Sequence, residues 1–336
     1  MKTDQSQFVL THFIKPLENL SISTSLYRTD FARNWYKLDK VKAVDSLGYT
    51  GIASILENPQ NYQEAYAVLT GSTSQLDDAL SLKANNRSYY AQGIQSLAQL
   101  NLPGANINQL IEFGFRYHQD QIDRFQWVDK YRMEEGIMKL TEAGLPGTES
   151  NRIETAKALA LYTQYTFTTD RLKLIPGLRY ENITINREDY GKNDPDRTGV
   201  DLSTRSNTVD VWIPGIGMEY KLNSRMKLIS VIHKGFSPPG SKEGTNPEES
   251  MNYELGLRHE NKILRAGVIA YLNDYQNLLG VDLAAGGGTG SGNLFNGGTA
   301  MVTGIEVDFF YGPRITEKMI LPLQLSYTYT DAYFTN

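Results

Sequence analysis

The chain has 336 residues, a formal net charge of -5 and no cysteine. That composition removes disulfides and thiolate metal sites, argues against nucleic acid as a partner, and contains no apolar run near the ~18 residues a spanning helix requires. Its 21 Tyr and 29 Gly against 4 His suit either a soluble all-β protein or an outer-membrane barrel.

The N-terminal "MKTDQSQFVLTHF" has no apolar core of signal-peptide length and no small-residue cleavage site. A protein working outside the cytoplasm would then need a longer precursor. Residues 8–31 read as two extended runs joined at Pro16 to Asn19. A long connection, 37–84, follows. Within it "NPQNYQEAYAVLTG" has helical spacing, with Tyr62, Ala65, Tyr66 and Leu69 on one stripe and Gly71 as a stop signal. A structured loop of this length is expected to act as a lid or to contact ligand. Strands then follow at 85–101 and 106–122 around "PGANI", and at 154–168 and 172–187 around Thr169-Asp170. The next pair, 208–221 and 226–235, turns at Asn223-Ser224. In the hairpin 252–277, Tyr253, Leu255 and Leu257 share a face, as do Leu264, Ala266, Val268, Ala270 and Leu272 after the turn. A last pair, 300–311 and 319–333, turns at Gly312-Pro313. The sum is about twelve strands in six hairpins.

The connections alternate. Turns within hairpins are short, whereas the loops 37–84, 123–153, 188–207, 236–249 and 277–299 are long. A soluble sandwich has no reason to keep that order. A transmembrane barrel has short periplasmic turns and long extracellular loops. The strand faces agree with it. Ile111, Phe113, Phe115 and Tyr117 oppose Glu112, Gly114, Arg116 and His118, while Ile305, Val307 and Phe309 oppose Gly304, Glu306 and Asp308. The expected fold is therefore all-β, an antiparallel transmembrane β-barrel portion with lipid outside and water inside.

Enzymatic signatures are missing. "AAGGGTGSGN" lacks the spacing of a phosphate loop and reads as a flexible outer loop. His12, His118, His233 and His259 are dispersed without metal-ligand spacing. "DPDRTG" at Asp194 to Gly199 begins like a calcium loop, but Arg205 stands where the closing carboxylate belongs, so it reads as a turn. The pairs Glu134-Glu135 and Asp77-Asp78 fall in expected loops. No catalytic residue, metal site or cofactor is expected. The candidate ligand-binding residues are Arg116, Arg179, Arg258 and Arg265, all on the expected lumen face. Guanidinium groups in a confined aqueous tube favour anions. The bland alternative pairs them with Glu112, Glu181 and Glu254 in a lumen lattice.

The stretch 233–277 carries Gly235-Phe236-Ser237-Pro238-Pro239, then Asn246-Pro247-Glu248-Glu249-Ser250, then Tyr253-Glu254-Leu255-Gly256-Leu257-Arg258, and Gly304-Ile305-Glu306 follows downstream. Together these resemble the barrel of TonB-dependent outer-membrane receptors, as do "IPGLRYENI" and "LSYTYTDAYF". "LYRTDFARNWYKLDKV", "RYHQDQIDRFQW" and "PGTESNRIETAKALALYTQYTF" are most similar to the ferric-citrate receptor branch. The resemblance covers essentially residues 1–336. It implies about 12 strands of a 22-strand barrel and uptake of a ferric chelate across the outer membrane of a Gram-negative bacterium. It further implies energy from the TonB-ExbB-ExbD complex, contacted through an N-terminal region, with outer-membrane lipid around the wall. The plug, the TonB-contacting box and the closing strands of the family have no match here, so a barrel fragment is the expectation. A passive porin and a soluble glycan-binding adhesin are the alternatives.

Overall fold

The structure, a computed structural model, describes residues 2–281 and 294–335. Twelve long strands form one antiparallel ladder in sequence order. They are β1 (Lys2–Leu17), β2 (Leu20–Val41), β3 (Leu80–Pro103), β4 (Asn108–Glu134), β5 (Ser150–Thr168), β6 (Leu172–Asp189), β7 (Ser203–Lys221), β8 (Met226–Ser237), β9 (Glu248–Glu260), β10 (Leu264–Gln276), β11 (Ala300–Tyr311) and β12 (Leu323–Phe334). The six expected hairpins are all present. The "AAGGGTGSGN" segment lies outside the described residues.

One face of the ladder is apolar yet uncovered. Phe113 is 53% exposed, Trp212 58%, Leu255 56% and Tyr327 56%. In water such a surface is untenable at this extent, so it is the lipid-facing exterior. The opposite face carries charged and small residues, with large side chains lying over glycines. A Cβ on Gly114 would meet the Tyr162 ring at 1.8 Å, and one on Gly304 would meet Tyr271 Oη at 2.3 Å. Glycine there is what lets a neighbouring tyrosine lie flat along the wall.

The exterior changes character part-way up. The rung Leu26–Ile94–Tyr117–Leu159 is followed directly by Arg28–Gln92–Gln119–Lys157. Above that boundary the ladder continues in water. Strand β4 has 27 residues and β3 has 24, whereas crossing a bilayer takes about 9–11. The extra length forms a collar on the long-loop side.

This collar corrects several expected boundaries. Residues 80–84, 123–134, 150–153 and 203–207 are strand, not loop. Glu134 therefore ends β4, and Glu135-Gly136 make a two-residue turn with φ of 49° and 80°. Both left-handed positions are those of a type I′ turn, which returns the chain as Ile137–Glu142 along β4. The last connection is also longer than expected. Residues 314–316 and 319–320 form their own small hairpin, and β12 begins only at Leu323 because Pro322 has no N–H to give the ladder.

The best-buried cluster sits above the wall, in the 42–79 segment. Here α1 (Ile52–Glu57) and α2 (Gln63–Leu69) pack Ile55, Ala65 and Val68 against Val41, Ala79, Leu80 and Met133. The expected stripe is only partly right. Ala65 is buried, but Tyr62 and Tyr66 are 36% and 40% exposed, and Val68 takes the inner position. Polar contacts tie this cap to the strands. Lys42 reaches Asp78 at 2.5 Å and Asp45 at 2.9 Å. Tyr49 donates to Asp78 Oδ2 at 3.0 Å, and Lys130 Nζ donates to the Tyr49 hydroxyl at 2.9 Å. Burial first, then the Asp78 carboxylate, pushes the Tyr49 hydroxyl up to about 12.

Candidate functional site

The inner face of the collar is crossed by arginines. Register places Arg33 opposite Arg87, Arg87 opposite Arg124, and Arg124 opposite Arg152, on β2 to β5. Arg187 on β6 lies opposite both Glu154 and Arg205. Directly opposite residues on one face have Cβ atoms about 4.5–5.5 Å apart, so these guanidiniums form a belt. Its height follows from β4. Arg124 is seven residues beyond Tyr117, where the continuous outward apolar run of β4 ends, or about 23 Å along the strand at ~3.3 Å per residue. The belt stands in the mouth of the barrel.

Few carboxylates share that level. Arg187 pairs with Asp189, and Arg152 Nε lies 3.0 Å from Glu154 Oε1 at an angle that makes no hydrogen bond. Arg33, Arg87 and Arg124 have no carboxylate partner among the described residues, and the Nε of each is buried without a hydrogen bond. Burial, then Arg124 and Arg187, pushes Arg152 down to about 10. Burial likewise lowers Arg124, and Arg87 adds to it against the pull of Glu154. Burial would raise the Tyr89 hydroxyl, but hydrogen bonds from Arg87 and Arg33 outweigh it and bring it below its ordinary value. The belt is thus an excess of positive charge held in partial burial, an arrangement that an anion relieves.

Aromatic side chains share the same face on one side. Phe31 and Tyr89 lie opposite each other one rung below Arg33 and Arg87, with ring centroids 5.7 Å apart. Trp35 is one rung above, and Arg33 lies 6.0 Å over its ring.

The four arginines singled out from sequence lie elsewhere, and the structure brings only Arg258 and Arg265 together. Arg116 is mid-wall, donating to the Tyr27 hydroxyl at 3.1 Å and to His118 Nδ1 at 3.3 Å, with no carboxylate partner among the described residues. Arg179 pairs with Glu181 at 2.5 Å and lies 5.8 Å over Tyr162. Arg258 and Arg265 are at the short-turn end, bordering a recess of about 550 Å³ with Glu260, Glu306 and Asp308. Of the alternative partners, Glu181 does hold an arginine, whereas Glu112 is taken by Gln99 and Gln164, both at 2.9 Å.

The belt residues were reachable by parity. Arg124 is in phase with Arg116 and His118 on β4, and Arg187 is in phase with Arg179 on β6. Other motifs resolve into structure. The Asp194 carboxylate accepts from Thr198 N and Gly199 N, both at 2.8 Å, and from Thr198 Oγ1 at 3.0 Å, so "DPDRTG" is a capped turn. Its Arg197 takes both Asp123 oxygens at 2.6 and 3.0 Å and pins the loop to the collar. No cluster of three or more metal-ligating side chains occurs among the described residues.

The family profile described as "TonB dependent receptor-like, beta-barrel" matches residues 7–336. Solved structures share the fold. The ferric citrate transporter FecA in unliganded form is 14% identical at a TM-score of 0.66, with 99% of this chain aligned to 43% of that one. The siderophore receptor PiuA from Acinetobacter baumannii is 13% identical at 0.68, again over 99% of this chain and 47% of that one. The ferric-catecholate import receptor Fiu from E. coli, in its closed form, is 14% identical at 0.63, over 99% and 47%. The chain thus spans less than half the length of these structures. No curated protein sequence matches it.

Proposed function

Because the chain belongs to the TonB dependent receptor-like β-barrel family, we propose that it forms the ligand-facing part of an outer-membrane receptor that imports an anionic iron chelate into a Gram-negative bacterium. Ferric dicitrate, the ligand suggested by the sequence motifs, is one such anion. Energy comes through TonB with ExbB and ExbD, reached by the region of the receptor that precedes the barrel, and outer-membrane lipid covers the apolar girdle.

The observation that carries this reading is the arginine belt in the mouth, where Arg33, Arg87 and Arg124 have no carboxylate partner among the described residues. Guanidinium groups give charge-assisted, often bidentate hydrogen bonds to carboxylate and phenolate oxygens, so a belt of them selects negative chelates over neutral ones. Arg116, lower on the same face beyond Asp120 and His118, also has no carboxylate partner among the described residues. Arg179 is already neutralised by Glu181, and Arg258 and Arg265 border the exit end.

The test is uptake of radiolabelled ferric citrate by cells expressing the full-length receptor, with and without TonB. Uptake that needs TonB and falls when Arg87 and Arg124 are both changed to Gln supports the reading. Uptake indifferent to TonB would make the protein a passive pore, and uptake indifferent to the belt would move ligand recognition elsewhere.

A further inference from the structure

The outside of the wall carries a feature that import does not use. Where the girdle ends on β1 to β4, two recesses lie one above the other on the exterior. The lower, of about 380 Å³, is bordered by Phe8, Leu26, Ile94 and Tyr117 and rimmed above by Arg28. The upper, of about 180 Å³, is bordered by Asp4, Asp30, Tyr90 and Gln121. Arg28 and Asp30 form the sill between them.

The sill is held in place by its own hydrogen bonds. Arg28 Nε and Nη2 donate to the two Asp30 oxygens at 2.8 and 2.7 Å, and Nη1 donates to Gln92 Oε1 at 2.7 Å. The guanidinium lies 5.0 Å over the Tyr90 ring. Gln92 Nε2 donates to Gln119 Oε1 at 3.4 Å, and Gln119 Nε2 donates to the Tyr90 hydroxyl at 2.7 Å. Of the five N–H groups of a guanidinium, three are used here, so two remain. The Tyr90 hydroxyl keeps its own hydrogen without an acceptor among the described residues. Fixed donors at the top of an apolar trough suit a phosphate whose acyl chain lies below it.

Directly above, the charge changes sign. Asp4 makes no ion pair among the described residues. It stands diagonally beside Asp30 across β1 and β2, about 7–8 Å away. A lipid with negative charge alone would press its outermost oxygens against these carboxylates, and like charges there repel. A headgroup whose phosphate is followed by an ammonium meets each charge with its opposite. From membrane to water the wall runs apolar, cation, carboxylate. A phosphoethanolamine lipid runs acyl chain, phosphate, ammonium. Successive outward residues of a strand are about 6.6 Å apart, a step that one ethanolamine link and its hydrogen bond cover.

We propose that this exterior site on β1 to β4 holds a phosphoethanolamine lipid of the surrounding membrane. Its acyl chain lies in the trough between Phe8 and Tyr117, its phosphate meets Arg28 and Tyr90, and its ammonium meets Asp4 and Asp30. No covalent step is involved. The seat is on the outside of the wall, so it stands whatever anion the mouth takes.

The experiment is native mass spectrometry of the full-length receptor purified in detergent, titrated with dioleoyl phosphatidylethanolamine or dioleoyl phosphatidylglycerol. Their identical acyl chains cancel the apolar contribution, and unmodified lipid A, which carries phosphate without ammonium, is a third probe. Affinity is measured for the unaltered protein, Arg28→Gln and Asp4→Asn. Both side chains are exposed, and the heat-modifiable mobility of folded barrels checks each variant. The ethanolamine lipid is expected to bind about tenfold more tightly than the glycerol lipid. Asp4→Asn should bring the two within about twofold, and Arg28→Gln should weaken both by about tenfold. Glycerol lipid or lipid A bound as tightly as the ethanolamine lipid, or no lipid retained at all, overturns the proposal. So does an ethanolamine preference that Asp4→Asn leaves in place, or binding that Arg28→Gln leaves unchanged, because the headgroup would then be held elsewhere.

Discussion

Arg124→Gln separates the two roles an inner-face arginine can have. Glutamine keeps most of the length and one amide donor but removes the charge. In the free receptor that charge is a burden, because burial and the neighbouring Arg87 already weaken its hold on its proton. A like charge about 6 Å away costs roughly 1–3 kcal/mol at effective dielectrics between water and a protein surface. Glu154 returns part of that. The variant is therefore expected to melt at the same temperature as the parent or slightly above it. Ligand binding moves in the opposite direction. A hydrogen bond to a charged group contributes about 1.5–3 kcal/mol, so affinity for an anionic ferric chelate should fall by about 10- to 150-fold. The assay is paired: thermal unfolding followed by heat-modifiable mobility, and chelate affinity at two ionic strengths. The salt sensitivity of binding should shrink in the variant, because one fewer cation attracts the anion. A variant that loses heat stability and leaves chelate affinity intact would refute the reasoning, since Arg124 would then be a strut of the wall and not part of a receptor surface.

Other perturbations follow from the same geometry. Leu80→Ala opens a hole in the fully buried cluster beneath the cap and should cost about 2–5 kcal/mol, read as cleavage of the 42–79 segment at lower urea with the wall still intact. Gly114→Val drives a side chain into the Tyr162 ring; barrel assembly should fail, and Tyr162→Ala in the same chain should restore much of it. If the single substitution assembles normally, the close packing of ring on glycine is not what fixes that rung. The cap also has a pH limit. Burial would raise the Asp78 carboxyl, but hydrogen bonds from Lys42 and Tyr49 outweigh it and hold it low. A depressed carboxylate stabilises above its unfolded value of about 3.9, and that contribution is lost as pH falls through the lower folded value. Protease sensitivity of 42–79 should therefore rise in strong acid, and Asp78→Asn should show the acid behaviour already at neutral pH.

How much of this could be read from the residues depends on what solvent each face meets. Within the girdle, lipid on one side and water on the other force strict alternation, and there the strands and short turns stand out; "YELGLRHENKILRAGVIAYL" is an example. Above the girdle both faces meet water. Gln119, Gln121 and Asp123 point outward on β4 while Asp120, Ile122 and Arg124 point inward, and the alternation that marks a strand fades. Much of the collar, with Arg124, Arg152 and Arg205, therefore reads as loop, and Arg87 and Arg187 fall at the margins of expected strands, whereas Arg116, Arg179, Arg258 and Arg265 lie inside the alternating zone. Pairing partners supply what composition cannot. Arg33, Arg87, Arg124 and Arg152 are far apart in the chain and share a level only through three registers.

The placement of the cap cluster divides the molecule's stability between two media. The wall is held by backbone pairing in a layer that offers no competing hydrogen bonds, and lipid or detergent sets its strength. The cluster of Val41, Ile55, Ala65, Val68, Ala79, Leu80 and Met133 depends on water expelling apolar surface, the force that denaturants weaken directly. A solvent change can therefore act on the cap and spare the wall. Moderate urea acts as a selective key for the mouth, and a change of detergent as a key for the wall.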